Sequence, residues 1–312
     1  MTRSPALLKM GPQEAVIREM EDGSTLGVDS TTPKNKLSRR RTPCEEADSR
    51  KKEEPTMTEA TSPPEETDEG QPRDIAYWAQ KVEKLEVSKV PTGAANVNVQ
   101  GRREVGPLQG FGKLWQKTYR VRLAGVEVVP AEVVKVWKKH FPEFQPPNSR
   151  FYPSMPGVAP GEVLFISASV GGIPVYTGVR VIYADEESFT VMTPEGHPES
   201  GWNTFSAYRD EDGITVAQVQ SLARANDPIY ELGFRVVGST EQERIWTHVL
   251  KSLAGHFGVN EPVTLEKVCV DPKLQWSHGM NVWQNAGARS ILYTMVGLGR
   301  RMRNLLRRRS SR

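Results

Sequence analysis

One long helix-type segment follows a series of strand-type segments, and this order constrains the fold more than any other feature of the sequence. The strand-type segments alternate apolar and polar residues, as in Lys117–Leu123, which is typical of a strand with one buried face. The predicted strands are Lys117–Leu123, Glu162–Val170, Ile173–Tyr183, Ser188–Thr193, Trp202–Arg209 and Ile214–Arg224. Because turn sequences such as Gly171-Gly172 and Asp210–Gly213 separate neighbours, we expect the last five to form an antiparallel meander.

Two segments have the spacing of amphipathic helices. The first starts at Pro130, which suits the first turn of a helix, and stops before Pro142. The second covers 240–257, begins with a capping-box sequence and ends at Gly258. Its broad apolar stripe comprises Ile245, Trp246, Val249, Leu250, Leu253 and Phe257. The order predicts an α+β fold in which a curved antiparallel sheet wraps around the long C-terminal helix, with a cavity between them, an arrangement called helix-grip.

Composition divides the chain into five parts. Residues 1–73 are rich in Pro, Ser, Thr and Glu and poor in aromatic residues, so we expect a disordered tail. Residues 74–105 read as a short amphipathic helix over 75–86 followed by a linker. Residues 106–258 form the helix-grip domain, and 259–288 a C-terminal extension in which Leu265–Val270 has the pattern of a strand. Residues 289–312 form an arginine-rich amphipathic tail.

The candidate catalytic residues lie in the run from Thr193 to Gly201. His197 stands in a loop with Glu195 and Glu199 two residues to either side. A histidine beside a carboxylate can act as general base or hold the polar group of a ligand. The alternative is structural, because Gly196 and Pro198 favour a tight turn that His197 would stabilise through a neighbouring carbonyl group.

Other classes of site have weaker support. Three ligands at alternate positions could converge on a metal, but no second cluster of His or Cys lies nearby, so we expect no metal site. The sequence has no phosphate loop, no dinucleotide fingerprint and no nucleophile elbow, so we expect no cofactor.

Four residues of the central strands are candidates for the cavity wall. Arg180 stands among apolar neighbours, and with Tyr176 it could hold the polar or anionic end of a ligand, unless that face of the strand is solvated. Trp202 and Phe205 suit either the core or the wall of a ligand pocket, since such walls are mostly apolar and aromatic.

The C-terminal tail carries a second functional signal. Eight arginines and no acidic residue lie between Arg289 and Arg312, although the net charge of the whole chain is only +3. Apolar residues such as Ile291, Met295 and Leu298 recur at helical spacing, which favours an anionic membrane surface as the partner over nucleic acid. The predicted contact residues are Arg300, Arg301, Arg303, Arg307, Arg308 and Arg309. A tail that simply packs on the domain is the alternative.

The run Thr193–Gly201, with Phe205 and Asp210–Gly213, resembles the family known as domain of unknown function nineteen-ninety. That family belongs to the SRPBCC superfamily, together with START and polyketide-cyclase-like proteins. The resemblance covers about half of the chain and implies a helix-grip fold with a hydrophobic cavity, but no assigned activity. In the family we expect Ser-Arg-Pro at the end of the next strand. Here Arg224 stands in the arginine position without the proline, and the resemblance implies that it contacts the ligand.

Three functional hypotheses follow. The first is a domain that binds a small apolar or amphipathic ligand and is held at a membrane by its C-terminal tail. The second is a cyclase-like or hydrolase-like enzyme that uses His197 with a neighbouring glutamate. The third is an interaction protein without a ligand. Because no signal peptide or membrane-spanning run is present, we expect a cytoplasmic protein, peripheral at the inner membrane face where the tail binds.

Overall fold

A computed structural model describes residues 75–170 and 172–310, except for the side chains of residues 75, 170, 237–241 and 300–310. The predicted disordered tail of residues 1–73 lies outside the described residues. The strands are β1 (Glu104–Val105), β2 (Leu114–Arg122), β3 (Ser149–Tyr152), β4 (Val163–Val170), β5 (Ile173–Ala184), β6 (Ser188–Pro194), β7 (Glu199–Arg209), β8 (Thr215–Ala225) and β9 (Thr264–Asp271). The α-helices are α1 (Pro130–His140), α2 (Pro228–Gly233), α3 (Ser239–His256) and α4 (Ala286–Ser310).

These strands form one antiparallel sheet in the order β3-β4-β5-β6-β7-β8-β2-β9, with β1 paired to β6. The sequence of neighbours from β4 to β8 is the predicted meander, and β2 joins it through a register that pairs Tyr119 with Val219. All six strands predicted for the helix-grip domain are present, and so are the two helices predicted within that domain. The α+β class and the helix-grip arrangement are therefore confirmed.

The two faces of the sheet have different neighbours. We call the face that packs against α1 and α3 the inner face. Its residues form the main core with α1 and α3, and rings of Trp137, Phe189, Phe205 and Trp246 meet there. We call the opposite face the outer face. Because side chains alternate along a strand, one residue of shift decides which face a side chain occupies.

The long helix α3 has the predicted course. It follows a π-helical turn at Phe234–Gly238 and buries Val249, Leu250 and Leu253 completely. It ends at His256, and Gly258 adopts a φ of +75°, which favours glycine as a helix stop. The long helix thus covers the inner face at β2 and β8.

The predicted helix over 75–86 is wrong. The described chain has a 3-10 turn at Ile75–Tyr77, and then Trp78 forms a β-bridge with Tyr183. The helical spacing was misleading because the apolar residues of this segment pack on the sheet while the backbone is extended. Farther along, Leu85 and Val99 are buried with Val163 and Phe165 in a second core on the outer face, so residues 74–105 are more than a linker.

The sheet also continues past the predicted domain end at 258. The predicted strand Leu265–Val270 exists as β9 and pairs with β2 along its length. A 3-10 helix (Trp276–Gln284) then leads to α4, which packs on β5. Within the part of the chain that the structure describes, no helix is long and apolar enough to cross a membrane.

Candidate functional site

A cavity of about 140 Å³ lies between the inner face and α3. Strands β3 to β7 supply its walls, and the π-helical turn and α3 close it with Phe234, Gln242, Ile245 and Trp246. Apolar and aromatic side chains dominate the lining: Phe141, Phe151, Ile166, Ala168, Val175, Val179, Val191 and Phe205. A pocket with apolar walls and few polar groups is the usual form of a small-molecule site.

His197 reaches this cavity from the turn between β6 and β7. Its Nδ1 lies 3.1 Å from both the backbone nitrogen and the backbone oxygen of Glu199, so it closes the turn by bonding one or the other according to its tautomer. Gly196 has a φ of +84°, and a side chain there would collide with the backbone of Gln284. Burial lowers the pKa of His197 to about 4, so the imidazole is neutral at neutral pH. His197 therefore closes the turn and also lines the cavity.

Glu199 lines the same cavity and belongs to a hydrogen-bonded network. Burial raises the pKa of its carboxyl group, although the charge of Lys117 and a hydrogen bond from Gln242 act in the opposite direction. Lys117 Nζ donates to Gln242 Oε1 at 2.6 Å, and Gln242 Nε2 donates to Ser221 Oγ at 3.3 Å. Burial lowers the pKa of Lys117 in turn. Gln242 thus joins the cavity to a buried lysine behind it.

Three other polar side chains line the cavity without a hydrogen-bond partner among the described residues. They are Thr177 through Oγ1, Asn203 through Oδ1 and Trp246 through Nε1. All three residues are buried. A buried polar atom without a partner costs about 1–3 kcal/mol, so each is an unusual feature of a native fold. Together they give the cavity unused hydrogen-bonding capacity.

Residues 117–252 match the family described as Domain of unknown function (DUF1990). This part of the chain is a DUF1990 domain. The match covers β2 to most of α3 and includes the residues of the cavity. It confirms the resemblance that the run around His197 indicated.

Solved structures similar to the chain include the KanY protein, at 14% identity over 45% of this chain and 95% of that one, with a TM-score of 0.36. Truncated norcoclaurine synthase from Thalictrum flavum has 14% identity over 47% and 96%, with a TM-score of 0.36. A START superfamily protein from Mycobacterium smegmatis has 16% identity over 47% and 98%, with a TM-score of 0.33. No curated protein sequence matches the chain significantly.

Among the predicted site residues of the DUF1990 domain, His197, Glu199 and Phe205 come together in the cavity. Glu195 does not join them. Its carboxylate accepts hydrogen bonds from Arg103, whose guanidinium group also forms an ion pair with it. Although Glu195 and His197 are only two residues apart, the turn at Gly196 sends their side chains in different directions.

Tyr176 and Arg180 lie on the outer face, so their prediction as cavity residues is wrong. Arg180 is buried, and its guanidinium group binds both carboxylate oxygens of Glu104 at 3.2 Å and the backbone oxygens of Gly161 and Gln80. Tyr176 packs edge-to-face against Tyr293 of α4. The inner-face residues of β5 are Val175, Thr177 and Val179. Each is the immediate neighbour of Tyr176 or Arg180 in the sequence, so it points to the opposite face of the sheet.

Trp202 and Arg224 are outer-face residues too, and their assignment to the ligand site is corrected. Trp202 is buried below Gly106, where the chain crosses the sheet. Arg224 is buried and donates from Nη2 to Asp271 Oδ2 at 3.1 Å. Its side chain also lies beside Gly110, and its Nε and Nη1 atoms have no hydrogen-bond partner among the described residues.

Sequence reasoning missed Thr177, Asn203, Gln242 and Trp246 as polar contacts of the site. A signal for them existed. Asn203 has the same parity as Phe205 on β7, and Gln242 and Trp246 are four residues apart on one helix face. Trp246 belongs to the apolar stripe of α3, but its indole N–H is a hydrogen-bond donor. Among the described residues no group of His, Cys, Asp and Glu side chains could hold a metal ion.

Among the described side chains of the C-terminal helix α4, the buried ones lie in its first five residues. Ala286 and Ser290 are fully buried, and Ser290 Oγ accepts a hydrogen bond from the backbone nitrogen of Tyr176. Farther along, Leu292 is 64% exposed and Met295 is 65% exposed. Tyr293, Val296 and Leu298 are exposed as well. The side chains of the predicted arginine contacts, Arg300 to Arg309, lie outside the described ones.

Proposed function

We propose that this DUF1990 domain binds a small apolar or amphipathic molecule in the cavity between the inner face and α3. The observation that carries the proposal is the lining: apolar walls surround three buried polar side chains, Thr177, Asn203 and Trp246, that have no partner among the described residues. A ligand with a polar group would satisfy them and cover the apolar walls at once.

The size of the cavity supports a small ligand. An apolar cavity of roughly 150 Å³ in an engineered protein holds a benzene molecule, and this one measures about 140 Å³. Filling apolar surface of this kind contributes roughly 25 cal/mol per Å², so a ligand of one ring gains several kcal/mol from burial.

Native and denaturing mass spectrometry of the purified full chain tests this proposal. We expect an additional mass on the native protein that is lost on denaturation and that belongs to a small molecule with an apolar part. A protein that carries no such mass, and that acquires none when incubated with a cell extract of small molecules, would contradict the proposal.

Catalysis in the same cavity is the second candidate. His197 and Glu199 line one cavity, and burial shifts the pKa of the first downward and of the second upward. A neutral imidazole can accept a proton and a protonated carboxyl group can donate one, which is the combination that acid–base catalysis needs. The bound molecule, incubated with the wild-type chain and with Glu199→Gln, tests this. A product formed only by wild type supports an enzyme, whereas an unchanged molecule in both leaves a binding protein.

We further propose that α4 places the domain at an anionic membrane surface, which would be the inner face of a cytoplasmic membrane. Exposed apolar residues of α4, led by Leu292 and Met295, precede seven arginines in the sequence. A helix with apolar residues and arginines is suited to the interface of an anionic bilayer, where each arginine contributes roughly 1 kcal/mol.

Sedimentation with vesicles tests the membrane proposal. We expect the full chain to bind vesicles that contain phosphatidylglycerol, to bind phosphatidylcholine vesicles weakly, and to lose binding in Leu292→Ser/Met295→Ser. Leu232→Ser is a matched control, because Leu232 on α2 is also 64% exposed. Equal binding to neutral vesicles, or binding to nucleic acid in preference to anionic vesicles, would contradict the proposal.

A further inference from the structure

Two of the unpaired polar atoms on residues that line the cavity are one acceptor and one donor. Asn203 Oδ1 can accept a hydrogen bond, and Trp246 Nε1 can donate one. Phe205 links the two positions: it is two residues from Asn203 on β7, and its ring centroid lies 5.4 Å from that of Trp246. The lining of the cavity therefore includes one unpaired acceptor and one unpaired donor.

The surroundings of these atoms favour a flat apolar ligand. Four aromatic side chains other than Trp246 line the cavity: Phe141, Phe151, Phe205 and Phe234. Phe141 already contacts Phe151 and Phe205 edge-to-face. Aromatic rings prefer such edge-to-face contacts with further rings, which add to the burial of area. The volume of about 140 Å³ limits the ligand to about one ring with small substituents.

The charges at the cavity disfavour an anion. Glu199 is the acidic residue of the lining, and a ligand carboxylate would meet its carboxyl group. The buried cation Lys117 lies behind Gln242 and donates a hydrogen bond to the Gln242 side chain. A buried charge without a partner is far more costly than a neutral polar group, so a neutral ligand fits this cavity better.

We propose that the ligand is a neutral one-ring aromatic molecule with a hydroxyl group, a phenol, whose hydroxyl donates to Asn203 and accepts from Trp246. This inference rests on the proposed ligand-binding function and adds the chemical class of the ligand. A hydroxyl group is the smallest substituent that both donates and accepts a hydrogen bond, so it offers a partner to an acceptor such as Asn203 Oδ1 and to a donor such as Trp246 Nε1.

Titration with three probes of one ring tests the proposal: phenol, toluene and benzoate. We expect the full chain to bind phenol about tenfold more tightly than toluene, because two hydrogen bonds are added, and to bind benzoate more weakly than phenol. In ¹H–¹⁵N spectra the indole N–H signal that is absent in Trp246→Phe should shift when phenol is added to wild type. Asn203→Leu should reduce the preference for phenol over toluene to about threefold or less.

The control variant is Thr204→Val, since Thr204 neighbours Asn203 but its hydroxyl is paired with that of Thr190 at 3.0 Å. It should keep the preference for phenol. Toluene binding as tight as phenol, with no shift of the Trp246 signal, would overturn the phenol inference and leave the ligand-binding function in place. If none of the three probes binds, the phenol inference fails, and a clean native mass spectrum would then overturn the ligand-binding function as well.

Discussion

Two buried polar sites on opposite faces of the sheet, the Arg180 site on the outer face and the cavity on the inner face, differ in how their polar atoms are paired. On the outer face Arg180 is held by a carboxylate and two backbone oxygens. On the inner face Asn203 and Trp246 each expose an unpaired polar atom to a cavity. A buried polar group that is fully paired stabilises one conformation of the fold, whereas one left unpaired beside a cavity is available to a ligand. The Arg180 site is therefore structural, whereas the cavity on the inner face is where we propose that a ligand binds.

The largest effect on stability should come from Arg180. Arg180→Ala leaves Glu104 with its carboxylate mostly buried and unpaired, and we expect a loss of about 3–5 kcal/mol in the free energy of unfolding. Urea denaturation of the full chain measures it. Arg103→Ala is the matched control, because Arg103 pairs with Glu195 but is 63% exposed, and it should cost less than about 1 kcal/mol. Equal losses in the two variants would show that the outer-face pair is no more structural than a surface pair.

The next effect is the pH dependence that His197 introduces. Its pKa in the folded chain is about 4 against an ordinary 6.5, so the unfolded chain binds the extra proton first as the pH falls. The contribution of His197 to stability is therefore present above pH 6.5 and is lost between pH 6.5 and pH 4, by up to about 3 kcal/mol.

Urea denaturation at pH 7, 5 and 4 checks this effect. His197→Gln should lose less stability than wild type over that range, whereas His248→Gln, at an exposed position of α3, should follow wild type. If the free energy of unfolding of wild type changed with pH in parallel with that of His197→Gln, the imidazole would be freely solvated in the folded chain.

Glu199 should show a smaller effect of opposite sign. Because burial raises the pKa of Glu199, its contribution to stability is present at low pH and is lost as the pH rises above the ordinary value of 4.5. Glu199→Gln removes that loss, so we expect a higher melting temperature than wild type at pH 7 and no gain at pH 4. Thermal unfolding of Glu199→Gln beside Glu195→Gln measures it. A melting temperature lowered at pH 7 would indicate that the ionised carboxylate is stabilised by Lys117.

The smallest effect on stability is expected for Asn203→Leu. The leucine replaces an amide whose oxygen has no partner among the described residues, so the free energy of unfolding should stay within about 1 kcal/mol of wild type. A loss above about 2 kcal/mol would show that Asn203 has a structural partner, and the contrast between the two faces would then weaken.

Much of the fold could be predicted because local patterns and tertiary structure agree in it. The alternation in β4 to β8 and the apolar stripe of α3 are strong signals, and each marks a buried surface. The segment 75–86 misled because its helical spacing competes with the β-bridge between Trp78 and Tyr183, a contact between distant parts of the chain. No local pattern contains that pairing.

The site was harder to predict than the fold. Arg180 looked like a cavity residue because it stands between apolar neighbours, but Val179 and Val181 on either side of it face inward and it faces outward. Its partner Glu104 lies 76 residues away, so the sequence alone gives no reason to join them. His197 and Glu199 could be singled out as candidate site residues because they lie only two residues apart in the sequence. Gln242 reaches the same cavity from another element, which requires knowledge of how α3 lies on the sheet.

Ligand occupancy in two variants of one strand tests the central claim most directly. Ala168 on β4 lines the cavity, and its neighbour Ser169 is exposed and points away. Native mass spectrometry of the full chain should find the bound small molecule in wild type and in Ser169→Leu, and should find little or none in Ala168→Leu, whose larger side chain occupies the cavity. An equal bound mass in all three proteins would contradict the claim, because the molecule would then lie elsewhere on the chain.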